Sequence, residues 1–205
     1  MTPLFARVVY ERENEMHHKP NRWKGFVTGM LGGAVGVIAM DYYWQTVAPV
    51  LDRLSKERGI GATTEAYPES LNLDSLAIAG EQYQVEESST ATLGRILYQW
   101  ITGKEPESEE TKTVLSYLVH WVYGILQGGI YGALTSSEDD GLDILGGPAY
   151  AAGLWLFGDE LVVPVLGLQS GPTAVPPVQH ANRLGAHLAY GLATGIATGL
   201  LRRLL

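Results

Sequence analysis

Four long apolar stretches limit what this chain can fold into. They cover residues 25–51, 113–134, 144–168 and 184–201, and each contains few charged residues. A helix needs about 20 apolar residues to cross the hydrocarbon core of a bilayer. None of the stretches alternates strictly between apolar and polar residues, as a strand of a membrane barrel does. The sequence therefore predicts an all-α integral membrane protein with four transmembrane helices.

The remaining parts of the chain are charged. A polar N-terminal tail covers residues 1–24, and a polar insert, 52–112, separates the first two apolar stretches. Residues 25–205 then form a single membrane domain. A soluble bundle of buried helices is the alternative. We consider it weaker, because four such stretches leave little polar helix surface to face water.

Composition excludes several classes of function. The chain has 14 basic and 22 acidic residues and a formal net charge of −8, so it is a poor candidate for binding nucleic acid. It contains no cysteine, which excludes disulfides and thiol catalysis. No phosphate-binding loop or HExxH motif occurs in the sequence. We therefore do not expect an enzyme.

Glycines recur at every fourth position in three of the apolar stretches. An interior glycine costs a soluble helix up to about 1 kcal/mol relative to alanine. In lipid the same spacing forms a flat groove where two helix backbones approach closely. We therefore expect the three ladders to lie at helix–helix contacts. Their members are Gly25, Gly29, Gly33, Gly124, Gly128, Gly132, Gly191, Gly195 and Gly199.

The sequence also contains an internal repeat. Residues 120–132 and 187–199 both read His-x-x-Tyr-Gly-x3-Gly-x3-Gly, and residues 32–51 match 146–166 more loosely. This predicts two tandem two-helix repeats of the same topology, related by an axis along the membrane normal. Convergence of glycine ladders is the alternative, but the shared His-Tyr-Gly register favours duplication.

The connections differ in character. Within the insert, residues 91–103 have apolar side chains at a helical period, which predicts a short amphipathic helix on the bundle or the membrane interface. The connection 169–182 contains three prolines, so we expect an ordered loop with little regular structure. Basic residues in the tail, with Arg202 and Arg203, favour cytoplasmic termini.

The second half of the chain carries a family resemblance. Its motifs are 158–168 (Gly-Asp-Glu-Leu-Val-Val-Pro-Val-Leu-Gly-Leu), Pro172, Pro176 and His180, with the His-x-x-Tyr-Gly segments 120–124 and 187–191. Over roughly residues 25–50 and 90–205, the chain resembles the YagU-like family of bacterial inner-membrane proteins, a domain of unknown function. The resemblance implies a multi-helix protein of a bacterial plasma membrane. It supplies no catalytic residue.

A few ionisable residues fall inside the apolar stretches, where a charge costs several kcal/mol and calls for a functional hypothesis. The acids lie late in helices one and three, and the histidines lie early in helices two and four. All of them are therefore expected near one membrane face, that of the insert and the proline-rich loop. This candidate polar cluster consists of Asp41, His120, Asp159, Glu160 and His187, with Tyr190 nearby.

Three interpretations of the cluster stay open. In the first it is structural, with each histidine bonded to a neighbouring helix. In the second it is a proton or ion site, where a carboxylate and a histidine titrate together. In the third, His120 and His187 ligate a haem between helices. A metal site at His17 and His18 with nearby acids is a weaker possibility, since vicinal histidines in a charged tail are usually solvated.

Asp159 and Glu160 support a sharper expectation. Pro164 cannot donate a backbone hydrogen bond to the carbonyl of Glu160, so the helix is weakened there. We expect one carboxylate to point inward and bond His187, His120 or Tyr190. The other should reach the headgroup region or the proline-rich loop.

Two functions fit these features. The first is a structural or accessory membrane protein, as a subunit of a larger complex or with copies of itself. Abundant packing glycine and the lack of a reaction centre motivate it. The alternative is a small transporter or proton-linked tolerance protein, motivated by the duplication and the polar cluster.

We expect the purified protein to carry no haem, no flavin and no other cofactor. The absorption spectrum of freshly isolated protein checks this. A Soret band that is lost in His120→Ala would contradict the prediction and favour bis-histidine ligation instead.

Overall fold

The computed structural model describes residues 21–68, 70–136 and 144–205. Within these residues every regular element is helical and no strand occurs. Two helical stretches, Arg22–Arg58 and Pro177–Leu204, are long and apolar enough to cross a membrane by length and composition. The tail histidines His17 and His18, and most of the acidic connection 135–143, lie outside the described residues.

The first helical stretch is divided near its end. Helix α1 covers Arg22–Thr46, and the Asn21 side chain caps it by accepting a hydrogen bond from the backbone N–H of Lys24 at 3.0 Å. Helix α2, Ala48–Arg58, follows directly with a proline in its first turn, and Gly59 ends it in the left-handed conformation at φ 63°. Proline lacks the N–H that a continuous helix needs, which accounts for the division.

Two helices follow the first connection. Helix α3, Ser89–Thr102, corresponds to the predicted amphipathic helix. Helix α4, Glu109–Leu134, begins four residues before the predicted apolar stretch, because Ser108 caps it and two acidic residues occupy its first turn. A backbone contact between Gly94 and Leu115 places α3 against α4.

The third helical stretch changes its hydrogen-bonding pattern along its length. It consists of α5, Gly146–Gly153, then a π-helix, Leu154–Val162, then a single turn, α6, Val163–Val165. We call this continuous stretch the 146–165 run. Helix α7, Pro177–Leu204, returns antiparallel to it. It begins seven residues before the predicted start at 184, so the expected loop is helical from Pro177 onward.

The glycine ladder of α1 faces that of α4. An added Cβ at Gly25 would meet the backbone of Gly132, and one at Gly29 would meet Gly128. A Cβ at Gly33 would lie 2.7 Å from the carbonyl oxygen of Gly124. The two antiparallel backbones are therefore in direct contact over two helical turns, with no side chain between them.

Helix α7 packs between α1 and α5. Its Gly191 lies against the backbone of Gly147, and the Cα of Gly195 would be 3.2 Å from a Cβ at Gly147. Gly199 is buried. Toward α1, Thr194 and Thr198 of α7 fill the space left by Gly36 and Gly32. The interior of the bundle thus consists mainly of glycine, threonine and alanine.

Arg202, near the C-terminal end of α7, forms hydrogen bonds with the C-terminal end of α4. The guanidinium of Arg202 donates to the carbonyl oxygens of Gly132 at 2.7 Å and Thr135 at 2.9 Å. It also bonds the Thr135 hydroxyl at 2.6 Å. These carbonyls at the end of α4 have no partner within their own helix, and a cation is favourable at a helix C-terminus.

Close backbone contact at Gly128 makes a stability prediction. In Gly128→Ala the new Cβ would lie 2.5 Å from the carbonyl oxygen of Gly29. We expect the free energy of unfolding to fall by about 1–3 kcal/mol, the usual cost of overpacking. Thermal unfolding in detergent measures it.

Gly153→Ala is the matched control, because nothing lies within 4 Å of a Cβ at that helical position. Alanine should leave stability unchanged or raise it by up to about 1 kcal/mol through helix propensity. Equal melting temperatures for the two variants would mean that α1 and α4 are not in backbone contact.

Candidate functional site

A cavity of about 590 Å³ lies at one end of the bundle. Its walls come from α1, α4, the 146–165 run and α7, and its cover comes from residues 83–90 and 169–175. Four members of the candidate polar cluster line it, and a fifth adjoins it. His120, Asp159, His187 and Tyr190 face the cavity, and Asp41 lies behind His120.

Asp159 and His187 face each other across the cavity. The carboxylate oxygen Oδ2 lies 3.7 Å from Nε2 of His187, which is an ion-pair distance but beyond hydrogen-bonding reach. Nδ1 of His187 lies 2.8 Å from the carbonyl oxygen of Arg183. A carbonyl only accepts, so Nδ1 carries the proton. In the neutral ring Nε2 is then the acceptor nitrogen, and it faces Asp159.

A second acid–histidine pair lies between α1 and α4. Nε2 of His120 is 3.4 Å from Oδ1 of Asp41, and both side chains are about a quarter exposed, at 26% and 28%. The pair repeats the relation between Asp159 and His187, with an acid on one helix and a histidine on the next. Nε2 of His120 makes no hydrogen bond within the described residues, so the contact with Asp41 does not decide between the three interpretations of the cluster.

Glu160 points away from the cavity and toward α7. Its Oε1 lies 2.7 Å from Nδ1 of His180, and Nε2 of His180 donates to the carbonyl oxygen of Pro172 at 2.8 Å. The carbonyl requires a proton on Nε2. The short contact to Glu160 therefore needs a second proton, held by either partner. Glu160 thus reaches both α7 and the proline-rich loop.

Tyr190 takes a partner that the sequence analysis did not name. Its hydroxyl donates to the carbonyl oxygen of Gly124 at 2.6 Å, and the side chain is only 3% exposed. Neither Asp159 nor Glu160 forms a hydrogen bond with it among the described residues. Tyr190 therefore joins α7 to α4 at the inner wall of the cavity.

The π-helix positions Asp159, and one side chain supports its irregular hydrogen bonding. In this pattern the N–H of Val163 bonds the carbonyl of Gly158, so the next bond would run from residue 164 to Asp159. Pro164 has no N–H to give. The Gln169 side chain supplies the missing donor, with Nε2 2.6 Å from the carbonyl oxygen of Asp159. Helices of this type are often found at functional sites.

Two extended segments cover the cavity and bond each other. We call residues 71–88 and 166–176 together the cap. Gly167 accepts hydrogen bonds from the backbones of Gln82, at 2.8 Å, and Tyr83, at 3.2 Å. Thr173 bonds the backbone of Leu73 at 2.7 Å. The cap is therefore a connected structure rather than two separate loops.

A buried ion pair anchors the cap to α3. Arg95 donates to both carboxylate oxygens of Glu87, at 2.9 and 2.8 Å, and to the carbonyl of Gln82 at 2.5 Å. The two side chains are 8% and 9% exposed. The hydrogen bonds from Arg95 hold the pKa of Glu87 below its ordinary value, against the opposing effect of burial.

Sequence reasoning missed His180, Arg183 and the Glu87–Arg95 pair. His180 was placed in the proline-rich loop, and Arg183 was given no role. The sequence does contain a signal for a helix start at Pro176–Pro177, since proline favours the first helical position. A helix from Pro177 would have placed Gln179, Arg183 and His187 on one face. No local signal predicts that Glu87 and Arg95 pair, because both lie in a polar segment.

The arrangement can hold a small solute and exchange protons. Cavities of 300–1,000 Å³ with a few convergent polar groups are typical of small-molecule sites. Within residues 21–68, 70–136 and 144–205, no group of three or more acid or histidine side chains is arranged to hold a metal ion. The comparison with known proteins found no matching family model, no matching curated protein and no matching solved structure.

The Glu87–Arg95 pair makes a pH prediction. A carboxylate whose pKa is lowered by folding stabilises the fold at pH values above its ordinary pKa. This stabilisation is lost as the pH falls through the lowered pKa. We expect Glu87→Gln to reduce stability by about 1–3 kcal/mol at neutral pH, as charge-assisted hydrogen bonds are lost. The difference from wild type should shrink as the pH falls through the lowered pKa of Glu87, because the wild-type side chain then becomes neutral as well.

Melting temperatures of both proteins in detergent between pH 3 and pH 7 test this. Glu86→Gln is the control, because Glu86 is exposed beside the pair. It should match wild type at each pH. A deficit in Glu87→Gln that stays constant over the whole range would show that the charge of Glu87 does not contribute.

Proposed function

We propose that this chain is a protein of a bacterial inner membrane with four membrane-spanning helices. It binds a small solute in its cavity and transports the solute across the membrane together with protons. The observation that carries the proposal is the cavity, because Asp159 and His187 face each other inside it. The resemblance to the YagU-like family supports the location. It adds no reaction.

The outer surface of the bundle supports four membrane-spanning helices. Large apolar side chains point outward from all four long helical stretches, while glycine and threonine fill the interior. Water strongly disfavours such an inverted arrangement, whereas lipid favours it. The outward side chains include Val27, Leu31, Val35, Ile38, Val114, Leu118, Val122, Leu126, Ile130, Leu156, Phe157, Leu161, Leu188, Leu192 and Leu200.

Equivalent contacts support the two-repeat architecture. The repeat aligns Gly33 with Gly147 and Gly124 with Gly191. Gly33 contacts Gly124 in the first unit, and Gly147 contacts Gly191 in the second. The acid–histidine pairs follow the same order, from α1 to α4 and from the 146–165 run to α7. A duplicated pair of helices accounts for the glycine contacts and for the two histidines, whereas the two acids lie at different distances from the aligned glycines.

Topology is directly testable because the chain contains no cysteine. Single substitutions Ser70→Cys, in the insert, and Leu205→Cys, at the C-terminus, report the two faces. In intact spheroplasts a membrane-impermeant maleimide should label Ser70→Cys alone, and Leu205→Cys should react only after permeabilisation. Val35→Cys is the control for a lipid-facing site and should resist labelling in both states. Labelling of both end positions from one side would contradict four spans with cytoplasmic termini.

A screen of solutes tests binding in the cavity. A ligand that binds only the folded protein raises its melting temperature. We expect at least one class among sugars, amino acids, amines and organic acids to stabilise wild-type protein in detergent. Leu154→Trp, which fills the cavity wall, should remove the effect. Leu156→Trp on the outer surface should retain it.

Proton coupling adds a second readout. For a solute found in the screen, uptake into proteoliposomes should depend on an inward pH gradient, and Asp159→Asn should remove that dependence. If no solute stabilises the protein and it copurifies stoichiometrically with larger membrane proteins, the accessory-subunit function replaces this proposal.

A further inference from the structure

We infer that the solute is a small organic oxyanion, a carboxylate or phosphate with an apolar body, and that Arg183 binds its charged end. The inference rests on the proposed function, because it identifies the class of ligand that the same cavity takes. Its basis is the one cationic side chain of the cavity wall that has no partner in the described residues.

Arg183 lies in the second turn of α7 and lines the cavity. Its side chain is half-buried, and its guanidinium forms no hydrogen bond or ion pair with any residue that the structure describes. Arg95 and Arg202 provide the contrast, since each makes three side-chain hydrogen bonds to protein acceptors. A guanidinium has five N–H donors and cannot lose its charge in a protein, so Arg183 faces the cavity with its donors unused.

Among the described residues, none of the carboxylates that line the cavity forms a hydrogen bond or ion pair with Arg183. Glu87 is held by Arg95. Asp159 lies opposite His187, and it interacts with Arg183 only through longer-range attraction. Glu86 is exposed at the outer edge. No carboxylate of the described cavity wall therefore lies at hydrogen-bonding distance from Arg183, and its donors are free to bind the oxygens of a ligand.

The face of α7 beside Arg183 offers further polar groups. Gln179, Arg183 and His187 are spaced four residues apart, and all three line the cavity. Residues at this spacing lie one above another on a helix. Arg183 occupies the middle position, so its planar fork can bind two oxygens of one anion while the amide of Gln179 donates from one side.

Another part of the cavity wall is apolar. Val37, Met40 and Trp44 of α1 line it, together with Leu154 of the π-helix. A free inorganic anion would leave this wall without a partner, whereas an organic body covers it. The two walls together fit an amphipathic acid whose charge lies at α7. A phospholipid headgroup with its acyl chain has the same chemistry, and the experiment must separate the two sources.

Binding of benzoate and phenylphosphonate to detergent-purified protein tests the inference, with benzamide as the neutral isostere. We expect at least one of the two anions to raise the melting temperature and benzamide to have no effect. Arg183→Gln should weaken anion binding by roughly tenfold to a hundredfold, the usual loss for a charge-assisted hydrogen bond. Arg183→Lys, which keeps the charge but not the fork, should lose less. Arg53→Gln on the exposed face of α2 should bind as wild type does.

A lipid arm identifies the source of the ligand. Phosphatidylglycerol added to delipidated protein should stabilise it through Arg183 if a headgroup is the natural occupant, with no effect of the free anions. Either source supports an oxyanion at Arg183. Anion binding that is unchanged in both Arg183 variants would overturn the inference. So would stabilisation by neutral or cationic solutes alone, provided that Leu154→Trp removes it; in that case the cavity function stands and only the ligand class is wrong. If no solute and no lipid stabilises the protein, both proposals fail.

Discussion

Backbone contact between α1 and α4 is the constraint on which the rest of the structure depends. Because glycine faces glycine from Gly25 to Gly33, no side chain separates the two helices, and the larger apolar side chains must point outward. The ladder ends where α1 reaches Val37 and Met40 and α4 reaches His120. Side chains of this size cannot lie between touching backbones, so the helices must separate there. The cavity is the space that this separation leaves, which is why it lies at the end of the ladder.

The sequence predicted the features that depend on periodic patterns. Apolar stretches and glycine spacing indicated long helices with close contacts, and chain direction indicated that the acids and histidines approach one end. Helix ends were harder, since apolar length reports the environment of a helix and not its hydrogen bonds. Ser108, which caps the N-terminus of α4, and the proline pair at 176–177 extend two helices beyond their apolar parts. Both signals are visible in the sequence once capping is considered together with hydropathy.

Other features could not be read from the sequence because they depend on distant partners. One of the two acids was expected to bond His187, His120 or Tyr190, and the other to reach the headgroup region or the proline-rich loop. Glu160 bonds His180, which was assigned to that loop and lies in α7. Oδ2 of Asp159 lies 3.7 Å from Nε2 of His187, so the two side chains face each other without a hydrogen bond. The π-helix that follows α5 and carries both acids depends on tertiary packing and on the side chain of Gln169, ten residues beyond Asp159. A periodic pattern contains no information about either.

The bond from Gln169 to the carbonyl oxygen of Asp159 joins the cover of the cavity to its floor. Gln169 belongs to the cap, and Asp159 belongs to the helix beneath it. Without this donor the carbonyl would be unpaired, and an unsatisfied buried carbonyl costs about 1–3 kcal/mol. The winding that directs the Asp159 carboxylate toward His187 therefore depends on a side chain of the cap. The cover of the cavity and the backbone that carries its acid are thus one connected structure, so a substitution in either one should be felt in the other.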